Sequence, residues 1–172
     1  MIRRLIIWIV NNLGSEEVEQ PDVRLQRTWT NTVFEIVIGV LLLVLWVSIA
    51  FKIALSGGQP IPTHFDIAGN ADDYGSPYWL LLLGGVNTAV AIYSMKAAYR
   101  PLDMIHVNVP IKSMRQVWLI VRWAYVFSIE ITLFCISLVY NGVAMMTVFF
   151  KVMVVVMVAT CLGVTVLLKK YK

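Results

Sequence analysis

Two groups of side chains have types and spacing that chemistry could use. The first fills one polar stretch between two apolar runs: Pro60-Ile61-Pro62-Thr63-His64-Phe65-Asp66-Ile67-Ala68-Gly69-Asn70-Ala71-Asp72-Asp73-Tyr74-Gly75-Ser76. One imidazole and three carboxylates, His64, Asp66, Asp72 and Asp73, are a donor set that a divalent cation accepts. The same residues have a second use, because Asp, Asn and Ser side chains hydrogen-bond nearby backbone amides in turns and caps. In that reading the aspartates cap turns and His64 bonds backbone. A single histidine among flexible carboxylates favours it, so neither a metal nor a cofactor is assigned. Pro60 and Pro62 pin φ at the start of the stretch, while Gly69 and Gly75 permit tight turns. Ser76 followed by Pro77 fits a helix N-cap with proline in the first helical position. The stretch is therefore expected to be an ordered loop.

The second group lies inside apolar runs. Glu130 and Lys151 flank the turn signal Asn141-Gly142. Counted outward from that turn at about 1.5 Å per residue, their depths on two antiparallel helices differ by only about 3 Å. A charge inside a membrane costs several kcal/mol unless it is paired or neutralised, so an ion pair that fixes helix rotation is expected. A proton- or ion-responsive site and a contact with another subunit are the alternatives. No chain of further acidic residues marks a path across the membrane, which disfavours a transporter. Arg122 and Lys52 lie near span ends and can snorkel. Glu35 begins the first span and can face the interface. No nucleophile–base constellation and no His-Glu-x-x-His motif occurs, so the chain is read as not an enzyme.

The elements that position these residues follow from composition. Of 172 residues, 59% are hydrophobic and 14% charged, against roughly 25% charged in an ordinary soluble domain. Mean hydropathy is +0.78. A soluble chain this short has too little interior to hide so much apolar surface, and the bilayer is the solvent that accepts it. Four stretches are long enough to cross a hydrocarbon core of roughly 30 Å: 33–55, 78–98, 117–140 and 143–168. The expected fold is all-α, a four-helix transmembrane bundle with one ordered outward loop at 56–77 and a cytoplasmic loop at 99–116. Residues 1–32 form a separate region, with Arg3 and Arg4 ahead of a short apolar run resembling an interfacial helix and then a polar linker. Gly84, Gly85, Ala89 and Ala91 allow close helix contact in the second span. Cys135 and Cys161 sit in apolar runs and serve as small hydrophobes. Met145, Met146, Met153 and Met157 suit packing or lipid contact.

Basic residues set the orientation. Arg3, Arg4, Arg24 and Arg27 precede the first span, Lys96, Arg100, Lys112 and Arg115 separate the second from the third, and Lys169, Lys170 and Lys172 follow the fourth. Positive loops stay in the cytoplasm, which places both termini inside and the His64 loop outside. The net charge of +4 thus marks topology and forms no continuous basic face, so nucleic acid is excluded as a partner.

The run Pro62, His64-Phe65-Asp66, Gly69, Asp72 and Gly75-Ser76 resembles the signature of the SdpI-like bacterial membrane proteins. A weaker match is His106, Asn108 and Pro110, similar to a cytoplasmic segment after the second helix in many of those proteins. The resemblance covers about residues 33–115. It implies a bacterial cytoplasmic (inner) membrane protein of a class that includes immunity factors against secreted peptide toxins. The function expected is non-catalytic binding or sensing of a peptide or other ligand by the outward loop, folded as a lid over the helix ends. The alternative is an accessory subunit of a larger membrane complex, as a homo- or hetero-oligomer.

Overall fold

The computed structural model of the chain describes residues 25–66, 70–105, 111–140 and 144–171. Helix α1 spans Trp29–Ser56, and a β-hairpin follows, β1 Ile61–Phe65 with β2 Ala71–Gly75. Then come α2 Trp79–Ala97, a single turn α3 Pro101–Met104, α4 Met114–Val139 and α5 Ala144–Lys170. Among the described residues α1, α2, α4 and α5 are long and apolar enough to cross a membrane. This is the architecture of an all-α, multi-pass membrane protein, because a helix satisfies its own backbone polar groups in hydrocarbon. The expected interfacial helix before residue 25, the Asn141-Gly142 turn, and Gly69, His106, Asn108 and Pro110 lie outside the described residues.

Local signals fix the helix ends. Thr28 caps α1, its Oγ1 accepting from the backbone N–H of Asn31 at 3.2 Å. Gly57 ends the helix at φ 56°, a left-handed conformation that glycine adopts without Cβ strain. Ser113 and Gln116 form a reciprocal capping box at the start of α4. Gln116 does more than cap: its Nε2 donates to the Leu168 carbonyl at 2.9 Å, tying the start of α4 to the end of α5. Ser76 does not cap α2 as expected. Its Oγ accepts from Tyr78 N at 3.4 Å, within a turn that delays the helix to Trp79.

Helix α4 is the central element and packs against α1, α2 and α5. Its buried face carries Gln116, Ser128, Glu130, Thr132 and Ser137 alongside apolar residues, whereas α5 exposes most of its valines and leucines. Polar side chains turn inward and apolar ones outward, as expected where the surrounding solvent is lipid. Gly84 of α2 lets α1 come close, since a Cβ there would lie 2.8 Å from Ile49 Cδ1 and 3.1 Å from Trp46 Cη2. Gly85 meets nothing within 4 Å, so only one of the pair serves the contact. The same interface carries Trp46 Nε1 donating to Thr88 Oγ1 at 3.0 Å.

Glu130 and Lys151 form no ion pair. Glu130 Oε1 accepts a 2.7 Å hydrogen bond from Thr160 Oγ1 on α5, while Lys151 is exposed. The reason is side-chain lean, which matching depths ignore. Every helical side chain tilts toward its own N-terminus. On antiparallel helices Glu130 and Thr160 therefore lean toward each other, which brings Thr160 to the carboxylate.

Candidate functional site

The polar stretch between α1 and α2 folds as an antiparallel hairpin, a strand pair where the sequence suggested only turns. Asp66 and Asn70 close it. Asp66 N donates to the Asn70 carbonyl at 2.9 Å, Asn70 N to Asp66 Oδ1 at 2.8 Å, and Asn70 Nδ2 to Asp66 Oδ2 at 3.0 Å. Asp66 is thus a turn residue, as expected of it. Asp73 Oδ1 accepts from the next backbone amide, Tyr74 N, at 2.8 Å. Gly75 stands opposite Ile61 in the ladder, and a Cβ there would come within 2.9 Å of Thr63 Cγ2. Thr63 is β-branched and stiff, so this glycine sets how closely the strands approach.

His64 is where the ladder is irregular. It pairs with Asp73, and the register shifts on both sides of it. Such bulges re-aim side chains. His64 Nδ1 comes to lie 2.6 Å from Asp72 Oδ1, with the two side chains 69% and 49% exposed. His64 therefore takes a carboxylate where a backbone partner was expected. Tyr74 and Tyr78 are exposed as well. Among the described residues no three His, Cys, Asp or Glu side chains gather as metal ligands would. The hairpin offers an imidazole, a carboxylate and phenol rings to solvent, a set suited to recognition by hydrogen bonds and stacking.

What holds this surface is Ile61. It is buried in a cluster with Leu45 and Ile49 of α1, Leu80 of α2, and Cys135 and Val139 of α4. Pro77, just after the hairpin, is buried too. The strands are anchored at their bundle-facing end and free to present the other.

The opposite end of the bundle holds a network with no counterpart in the motif. Glu35 collects three donors: Arg27 Nη2 at 2.9 Å, the Tyr99 hydroxyl at 2.5 Å and the Tyr125 hydroxyl at 3.2 Å. Tyr125 is fully buried and stacks on Phe34, with ring centroids 5.2 Å apart. Burial, and then the Glu35 carboxylate, raise the Tyr99 phenol above its usual range, so it stays a donor. Leu25 N donates to the Tyr99 carbonyl at 3.0 Å, which binds the segment before α1 to the end of α2. The position of Glu35 at the start of the first span lets it face the interface but does not reveal these partners, because Tyr99 and Tyr125 are 64 and 90 residues away.

The structure thus brings His64 and Asp72 together, joins Asp66 to Asn70, and puts Pro62 and Phe65 in β1, Gly75 in β2 and Ser76 in the turn after it. A family model described as a domain of unknown function (DUF1648) matches residues 38–88. No curated protein and no solved structure matches the chain. The matched stretch runs from α1 through the hairpin into α2. It contains Leu45, Ile49, Ile61 and Leu80 of the anchoring cluster, the Gly84 contact and the Trp46–Thr88 hydrogen bond.

Proposed function

We propose that the chain is a non-catalytic protein of a bacterial cytoplasmic membrane whose hairpin lies outside and binds or senses a peptide ligand, in the manner of the SdpI-like immunity proteins that its loop resembles. The observation that carries this reading is the His64–Asp72 pair, exposed on a hairpin that Ile61 fixes to the helix ends. Membrane proteins place irregular polar segments where water reaches them, and a surface held rigid binds at lower ordering cost than a loose loop. The basic residues support the outward orientation: Arg27, Lys96, Arg100, Lys112, Arg115, Lys169 and Lys170 lie at helix ends or in connections away from the hairpin, as the positive-inside rule requires of a cytoplasmic face.

A second reading, an accessory subunit, is favoured by α5, whose most apolar window is only 11% buried. Site-specific photo-crosslinking separates the two. With the probe replacing Tyr74, the leading reading expects an adduct to a secreted peptide that disappears in the Asp72→Ala background. With the probe replacing the exposed Val155, it expects lipid adducts alone. A stoichiometric membrane-protein adduct from the Val155 position, with none from the Tyr74 position, would establish the subunit reading instead.

A further inference from the structure

A cavity of about 240 Å³ opens between the first turns of α1 and the first half of α4, away from the hairpin. Thr28, Thr30 and Asn31 line one side, and Trp118, Arg122 and Tyr125 the other. Which polar groups remain unused there decides what it can hold. The Thr28 hydroxyl already donates to Asn31 Oδ1 at 3.0 Å, and Tyr125 donates to Glu35. Asn31 Nδ2 is different. Asn31 is 3% exposed, and this amide nitrogen is buried with no hydrogen-bond partner among the described residues. A buried donor left unmet costs roughly 1–3 kcal/mol, so a ligand acceptor would relieve it.

Phe34, Val121 and Trp118 make the rest of the lining largely apolar, and Arg122 is its one charged side chain among the described residues. Arg122 contributes a guanidinium. The N-terminus of the 28-residue α1 contributes the positive end of its dipole. The nearest carboxylate, Glu35, does not line the cavity, and Arg27 neutralises it at 2.9 Å. An anion with several acceptor oxygens matches this lining.

Depth identifies the source of that anion. Arg122 stands eight residues into α4, about 12 Å along its axis. The 26-residue helix is about 39 Å long, so it overhangs a hydrocarbon core of roughly 30 Å by only a few ångströms at each end. Arg122 therefore starts inside the hydrocarbon and reaches the headgroup boundary by snorkelling. Trp118, one turn nearer the end, has the side chain favoured at that boundary. The volume is below the roughly 300 Å³ at which drug-sized sites begin, and a headgroup whose acyl chains stay in the bilayer needs no more.

We propose that this cavity is a binding site for the phosphate of an anionic phospholipid headgroup, held by Asn31 Nδ2, Arg122 and the first turn of α1. It is a site separate from the hairpin and does not rest on the function proposed for it. The test uses the full chain in nonionic detergent, titrated with short-chain phosphatidylglycerol and followed by native mass spectrometry and thermal unfolding. Diacylglycerol with the same chains and inorganic phosphate are the comparison ligands. One equivalent of phosphatidylglycerol is expected to bind and raise Tm, with neither comparison ligand doing so. Asn31→Leu and Arg122→Gln should each weaken binding about tenfold, the scale of one charge-assisted contact, and Arg122→Lys should retain part of the affinity. Equal protection by inorganic phosphate would overturn the lipid assignment. Diacylglycerol binding as tightly as phosphatidylglycerol would overturn the phosphate contact. Should Arg122→Gln fail to fold, Asn31→Leu and Arg122→Lys decide, and unchanged affinity in both would overturn the site.

Discussion

Two carboxylates at opposite ends of this molecule meet a nitrogen donor, and they do so under opposite conditions. Glu35 accepts from Arg27, Tyr99 and Tyr125 with its own side chain 16% exposed. Among the described residues Asp72 meets His64, with both side chains open to solvent. Solvent decides what each arrangement is for. Where the carboxylate is largely shielded an unmet partner is costly, so the Glu35 network ties α1 and the middle of α4 to the end of α2. In water the same kind of contact stabilises by only roughly 0–1 kcal/mol, and the groups can be given up to a ligand. One end holds the bundle together; the other is left available.

The substitutions that break this contrast fall in order of size. Glu35→Ala should destabilise most, by about 2–4 kcal/mol, because it removes the one acceptor shared by Tyr125, Tyr99 and Arg27. Equilibrium unfolding in detergent micelles measures it. Next is Gly84→Val at the α1–α2 contact, where overpacking against Ile49 and Trp46 should cost about 1–3 kcal/mol and lower Tm. Gly75→Ala should cost about 1 kcal/mol through its clash with Thr63, and proteolysis within the hairpin should accelerate while the helices stay protected. His64→Ala should change stability by no more than about 0.5 kcal/mol yet abolish ligand crosslinking from the Tyr74 position. A large loss of stability from His64→Ala, or a negligible one from Glu35→Ala, would invert the assignment of the two ends.

Alkaline pH sharpens the same comparison. The Tyr99 phenol has a folded-state pKa above its unfolded value of 10.0. The folded state therefore holds that proton more tightly. Its contribution is fully present below pH 10.0 and is lost as pH rises through the elevated folded value. Tyr99→Phe should remove this part of the alkaline sensitivity, seen as a flatter profile of Tm against pH above 10.0.

The difference in legibility between regions has physical causes. Spans of about 20 apolar residues leave little alternative to membrane helices, so all four were visible, to within a few residues at each end. The hairpin was hidden because Pro60, Pro62, Asp66, Asn70 and Gly75 are residues that strands disfavour. Its pairing depends on Ile61 finding a core built from three helices. Gly84 could be read as a contact point, but which of two adjacent glycines faces α1 depends on helix rotation. The expected partnership of Glu130 with Lys151 failed on side-chain direction, which counting along an axis does not contain. The Glu35 network and the buried Gln116 join residues far apart in sequence, and no local periodicity announces them.

The proposed function requires the His64–Asp72 hairpin to stand in water across the membrane from the basic helix ends. The most direct test is labelling of intact cells with a membrane-impermeant maleimide, using Asp73→Cys and Lys170→Cys in a background with Cys135 and Cys161 replaced by serine. Asp73→Cys should label in intact cells, and Lys170→Cys only after lysis. Labelling at position 170 with protection at position 73 would contradict it.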